Sequence, residues 1–294
     1  MRSKSRSDVM FQWGIGVAAF LIAVITLYPL IYVLSASVST PTYILNGEVW
    51  LWPKGFTLRA YERVFSSANI QTGYLNTMFY SCAGTALNLL LTIAAAYPLA
   101  MRDLKGRNVV TLLITFTMFF SGGMIPSYIN IKGLGLLNTR WSVILPGLIN
   151  ATNMLIMRNY FQQSIPGELH EAAEIDGASP LKTLLSIVLP LSKSILVVIT
   201  IYYFVGHWNS YFDAMLYITK REKWPLQVFL RQILLLSQMG DMAETMGVDD
   251  ANTALLYASL KYAIIVVAAV PLLIIYPMVQ RFFEKGIMLG SLKG

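Results

Sequence analysis

The chain has 294 residues, 56% of them hydrophobic and only 13% charged, with a mean hydropathy of +0.59. Soluble domains carry about a quarter charged residues, so the deficit excludes a soluble fold. The apolar content excludes disorder, the single cysteine, Cys82, excludes a disulfide scaffold, and an integral membrane protein remains.

Six stretches contain no Asp, Glu, Lys or Arg: 9–47, 64–101, 108–131, 141–157, 194–212 and 262–280. A helix crosses the hydrocarbon core with about 17–25 residues, and each stretch is long enough. Their spacing predicts spans near 13–35, 75–100, 109–128, 142–157, 187–206 and 262–280. Strict alternation, the mark of a lipid-exposed barrel, is absent. The first stretch exceeds a signal-peptide core and reads as an uncleaved signal-anchor. The fourth is short, but Arg140 and Arg158 bracket it and can snorkel to the headgroups.

Basic residues set the expected topology. Arg2, Lys4 and Arg6, then Arg102, Lys105 and Arg107, then Arg281, Lys285 and Lys293 all fall on one side, which the positive-inside rule makes cytoplasmic. The expectation is a multi-pass membrane protein with both termini and the loop 158–186 in the cytoplasm. Segments 36–74, 129–141 and 207–260 then lie outside, the last with its own basic cluster of Lys220, Arg221 and Lys223. The aromatics of 36–74 (Tyr43, Trp50, Trp52, Phe56, Tyr61) suit an interfacial belt or a contact surface equally. The net charge of +7 needs no nucleic acid, because basic helix flanks meet anionic lipid.

Catalytic patterns fail. The two histidines, His170 and His207, fall on opposite sides of the membrane, and His170-Glu171-Ala172-Ala173-Glu174 lacks the second imidazole of a zinc helix. Neither a phosphate-binding P-loop nor a nucleophile elbow occurs, so the chain is not expected to be an enzyme. The spans hold almost no ionisable groups, and Lys193 and Lys261 sit near span ends. An ion-coupled secondary transporter is therefore the lesser alternative, since nothing in the spans supplies its energy. Uncharged polar residues do occur there: Asn76, Ser81 and Asn88, then Asn150 and Asn153, then Thr200 and Tyr203. Most such groups bond helix to helix for about 0.6 kcal/mol each, and a minority would line a path for a hydroxyl-rich solute.

The segment 164–180 is the most informative. Ser164 is a candidate N-cap with Pro166 in the first turn, the helix should run to about Ile175, and Gly177 can take the left-handed stop. Ser179-Pro180 then starts a second helix leading into the fifth span. Glu168, Glu171 and Glu174 form an acidic stripe, and Leu169, Ala172 and Ala173 a small apolar face. Four of the fifteen acids lie within 168–176, some near the helix C-terminus, where the dipole disfavours anions by about 0.3–1 kcal/mol. A docking helix is favoured over the alternative, an amphipathic linker helix resting on headgroups, because anionic lipid makes four carboxylates a poor choice for the latter.

Glu171-Ala172-Ala173, three residues, Gly177, nine residues and Ile187-x-Leu189-Pro190 resembles the EAA loop of ABC-importer permeases, without a gap. Trp208-Asn209 at the end of the fifth span, and the glycine-rich tail 285–294, are similar to the MalG-like carbohydrate branch of that family. The resemblance implies an all-α membrane protein: one permease domain over 1–294, with six transmembrane helices and a cytoplasmic coupling helix between spans four and five. It implies that Glu168, Glu171, Ala172, Ala173, Asp176, Gly177, Ile187, Leu189 and Pro190 dock an ATPase, and that Gly290, Lys293 and Gly294 reach back to it. Expected partners are a second permease subunit, two ATPase subunits and an external solute-binding protein. The chain itself would bind no cofactor and no metal, with ATP and Mg on the partner ATPase. Candidates for the substrate path are Asn76, Asn88, Asn150, Asn153, Tyr203, Trp208 and Asn209. The implied function is ATP-driven import of a sugar or oligosaccharide by alternating access. Importers of amino acids, polyamines or phosphate share the loop and are the alternative, and a uronate oligomer is compatible with the basic chain.

Overall fold

A computed structural model describes residues 6–245 and 251–291. Among these, every regular element is helical. Two compact units are built from 1–68 with 230–270, and from 69–229 with 271–294.

In the first unit, α1 (Arg6–Ser37) is followed by the short α2 (Pro41–Leu45) and by α3 (Arg59–Ser66). The apolar window of α1 is not buried at all within the chain, as expected for a helix whose surroundings are lipid or other subunits. Its C-terminal end is anchored instead by the loop that follows. Ala36, Ile44 and Val49 pack together, the Ser37 and Tyr61 hydroxyls lie 2.8 Å apart, and Lys54 pairs with Glu48 at 3.1 Å. Trp50 and Trp52 remain exposed.

The second unit is organised on α4 (Ala68–Ala100). After it come α5 (Arg107–Phe119), α6 (Met124–Gly133), α7 (Trp141–Ile144), α8 (Ala151–Ser164) and α9 (Gly167–Ile175). Next, α10 (Pro180–Thr183) runs through a π turn into α11 (Leu189–Leu191), then α12 (Lys193–Trp208) and α13 (Phe212–Tyr217). Helices α14 (Leu226–Thr245) and α15 (Ala251–Ser291) contribute residues to both units.

The charge-free stretches meet this architecture in two ways. Segments 13–35, 75–100 and 262–280 lie inside α1, α4 and α15, and Met10–Ser37, Ala68–Ala100 and Tyr257–Pro277 are each long and apolar enough to cross a membrane. The other three stretches are interrupted. Over 109–128 the helix ends at Phe119, and the chain turns by 113° into α6, with Gly123 at φ +83 where a side chain would be strained. Over 142–157 the expected single helix is broken: α7 gives way to a 3-10 turn at Leu145–Gly147, and α8 begins only after Asn150. Within 187–206, Pro190 removes a helical N–H, and the helical run Pro180–Leu191 meets α12 at an angle of 86°. Counting uncharged residues detects apolarity but not backbone breaks.

Candidate docking helix and solute path

The docking segment folds largely as its local chemistry dictates. Helix α9 ends at Ile175, with Asp176 as C-cap and Gly177 at φ +70. Ala178 N–H donates to Ala173 O at 2.9 Å and Gly177 N–H to Glu174 O at 3.0 Å, the paired bonds of a Schellman stop. A Cβ on Gly177 would meet nothing, so the glycine is required by its backbone angle and not by crowding. Ser179 caps α10 by accepting from Lys182 N–H, as expected. Ser164 differs: it closes α8, and the N-cap of α9 is Pro166, which has no side-chain bond to offer. The extended Pro166 backbone makes the corner that separates the two helices.

One side of α9 is seated on its own chain. Ala173 is buried, Leu169 packs on a cluster that includes Tyr97, Leu99, Phe161 and Ile165, and the His170 ring lies 6.1 Å from that of Tyr97. The other side carries Glu168, Glu171, Ala172, Glu174 and Asp176, all exposed. Ile175 is 87% exposed, the most exposed large apolar side chain among the described residues. An isoleucine this exposed buries little on its own chain and, ringed by carboxylates, is available to a protein partner. Sequence reasoning missed Ile175, although its i+3 spacing from Ala172 was the available signal. Of the remaining loop residues, Ile187 lies in the π turn, Leu189 and Pro190 at the bend into α12. Gly290 falls within α15, while Lys293 and Gly294 lie outside the described residues.

Most of the candidate path residues are tied into a polar seam along α4. Asn76 donates to Glu222 O (2.8 Å) and Trp224 O (3.1 Å) and accepts from Arg140 Nη2 (2.9 Å). Two turns on, Gly84 lets His207 approach so closely that a Cβ there would stand 2.5 Å from Nε2. Asn88 accepts from His207 Nε2 at 2.6 Å and donates to Gly147 O and Leu148 O at 2.7 and 2.8 Å. One amide thereby satisfies two carbonyls that the broken helix leaves free. A further turn along, Thr92 meets the Tyr203 hydroxyl at 2.7 Å, and that hydroxyl accepts from Asn150 N–H at 3.2 Å. Asn150 also caps α8 by accepting from Asn153 N–H, while Trp208 is fully buried against Tyr74 and Phe204. Asn150 and Asn209 alone among the seven candidates are exposed. Gly84, Thr92 and His207 belong to the seam too; their i+4 spacing with Asn76 and Asn88 on α4 was the readable signal for the first two.

Beyond the seam, the segments 138–140 and 219–224 form a clasp. Asn138 Oδ1 accepts from Thr219 N–H and Oγ1, and Lys223 Nζ donates to Asn138 O at 2.7 Å. Arg140 also lies over the Phe79 ring and Arg221 over Trp224. None of Arg140, Lys220, Arg221 and Lys223 is within ion-pair distance of a carboxylate among the described residues.

Residues 85–289 match the family described as the binding-protein-dependent transport system inner membrane component. The chain belongs to that permease family. Two similar proteins come from Bacillus subtilis (strain 168). Protein LplC is 42% identical over 287 residues, covering 98% of this chain and 94% of the relative. The polygalacturonan/rhamnogalacturonan transport system permease protein YtcP is 43% identical over 276 residues, covering 93% and 95%. The permease is also similar to a chain in the crystal structure of a bacterial ABC transporter involved in the import of the acidic polysaccharide alginate. That likeness has a TM-score of 0.85 at 36% identity, covering 96% of this chain and 100% of the other. The permease is accordingly a multi-pass, non-catalytic inner-membrane subunit of a transporter complex.

Proposed function

We propose that this permease carries an oligosaccharide across the membrane by alternating access, driven by ATP hydrolysed on separate ATPase subunits that hold the ATP and Mg. An external binding protein delivers the solute, a second permease subunit completes the path, and Glu168, Glu171, Ala172, Ile175 and Asp176 form the face that enters the ATPase. The observation that carries this reading is the two-sided character of α9: seated inward through Leu169 and Ala173, and presenting an exposed isoleucine among carboxylates outward. Ala173 then acts from the seat, Gly177 by setting the stop, and Ile187, Leu189 and Pro190 by linking α9 to the bend at the foot of α12. Force on the docking face passes to α12 and, through His207 and Asn88, to the broken segment 145–150. Gly290, Lys293 and Gly294 are proposed to reach the same ATPase.

Asn150 and Asn209, exposed at the two ends of this linkage, take the solute-facing role, and Asn76, Asn88, Asn153, Tyr203 and Trp208 position the helices around them. The unpaired cations of the clasp favour a carboxylated oligosaccharide over a neutral one, in keeping with the uronate-rich polymers named for the two carbohydrate transporters above. The test is transport into vesicles by the assembled complex. Expected is solute-stimulated ATP hydrolysis that Glu171→Lys abolishes without loss of the assembled permease. Wild-type stimulation in that variant contradicts the docking assignment.

A further inference from the structure

The C-terminal end of α4 carries a built cationic site that the transport reading does not use. The last carbonyls of a helix have no partner within it. Here the last two, and that of the residue after the helix, are taken by side chains from two other helices: Leu99 O accepts from Arg158 Nε at 2.9 Å, Ala100 O from Gln162 Nε2 at 3.4 Å, and Met101 O from Arg107 Nη1 at 3.2 Å. Two guanidinium groups, one from α8 and one from the first residue of α5, are thus fixed on carbonyls two residues apart. The negative end of the α4 dipole helps to hold each, but they repel one another. The remaining bond of Arg158 goes to the neutral Asn159 amide. Arg102 and Lys105 stand exposed in the connecting turn, and no carboxylate pairs with any of these four cations among the described residues.

The neighbouring surface has the opposite character. Helix α5 buries none of its residues, and Val109, Leu112, Leu113 and Phe116 lie exposed along it, starting two residues beyond Arg107. Four cations, two of them fixed on carbonyls, outnumber the single carboxylate of that turn, the exposed Asp103, and a net-cationic cluster at one end of a bare apolar helix matches one kind of molecule: an anion carried on hydrocarbon chains. We infer that Arg107 and Arg158, with Arg102 and Lys105 around them, bind the headgroup of an anionic phospholipid whose acyl chains lie along α5. Gln162 holds the Ala100 carbonyl and leaves the guanidinium donors free for the phosphate. The bound headgroup neutralises the Arg107–Arg158 repulsion and so stiffens the end of α4. Tyr97 and Leu99 at that end belong to the seat of α9, so lipid bound there steadies the docking helix. This last consequence rests on the docking reading; the lipid site itself does not.

The site is tested on the complete transporter purified in detergent, by native mass spectrometry and thermal melting, with phosphatidylglycerol, phosphatidylcholine or inorganic phosphate added. Expected is retention of phosphatidylglycerol with a rise in melting temperature, and little effect of phosphatidylcholine. Each of Arg102→Gln and Lys105→Gln, which leaves the carbonyl bonds intact, should weaken phosphatidylglycerol binding about fivefold, and Arg107→Gln at least as much. Equal retention of the two lipids, or wild-type retention in the double variant Arg102→Gln/Lys105→Gln, overturns the proposal. So does an equal rise in melting temperature with inorganic phosphate alone, which marks a free-anion site. If that double variant keeps its lipid but loses the ATPase from the complex, the surface is a protein contact and the lipid assignment fails. Loss of lipid selectivity with normal solute-stimulated hydrolysis bears on this site alone, while loss of stimulation with intact lipid binding bears on the docking helix alone.

Discussion

Asn88 is itself buried and holds two main-chain carbonyls and one imidazole through part-buried bonds, so its truncation leaves three polar groups without that partner at once. A fully buried group left unsatisfied costs about 1–3 kcal/mol and a part-buried one less, so Asn88→Ala should lower the melting temperature of the purified complex, whereas Asn209→Ala, at an exposed amide, should leave it nearly unchanged. Gly84→Ala should destabilise comparably, because the new methyl and His207 cannot share one place. Titration offers a second test at this scale. Burial raises the Asp213 carboxyl above the ordinary carboxylate range, so the native state favours its protonated form. Stability from this group is present at acidic pH and is lost as pH rises from the ordinary carboxylate range through the raised native value. Asp213→Asn should therefore melt higher than the parent at neutral pH, with the difference closing towards acidic pH. Both histidines and all these asparagines were visible in the sequence. Their partners were not, because a bond between residues 88 and 147 depends on where the chain breaks, and hydropathy does not report that.

At the scale of elements, the helix α9 was legible because its determinants are local, whereas its proposed docking role rests on the resemblance. A glycine in the left-handed stop, a serine cap and a short acidic stripe act within a few residues, and each lies where its chemistry predicts. Gly177→Leu must hold φ +70 with a side chain, at a cost of about 1–2 kcal/mol, so it should unwind the stop and weaken solute-stimulated ATP hydrolysis while the chain still inserts. Ser164 misled because it has the right residue type one corner too early; the extended Pro166 takes the cap position. The interrupted stretches were not legible from charge spacing, though Gly122-Gly123 and Pro146-Gly147 mark the places. Irregular backbone at membrane depth is stable only where protein or water satisfies it, and the Asn88 amide meets that need at 147–148.

For the whole molecule, composition correctly indicated a membrane protein, and the spacing of seven residues in one loop indicated its family. The solute depends on surfaces that several chains share, which is why one sequence carries so little of it. If the clasp cations act on the solute, uptake of a uronate oligosaccharide should exceed that of a neutral one of equal length and fall steeply with salt, and Lys220→Gln with Arg221→Gln should flatten that salt dependence. The central claim is that the outer face of α9 enters an ATPase subunit, and cross-linking measures it most directly. Cys82 is the sole cysteine, so a Cys82→Ser background allows one thiol to be placed at will. With a short bismaleimide in the assembled transporter, Ile175→Cys should link to the ATPase in high yield, while Ala173→Cys, buried on the seat, should not. Absence of a link from position 175, in a complex that retains its ATPase and still hydrolyses ATP on addition of solute, would contradict the account.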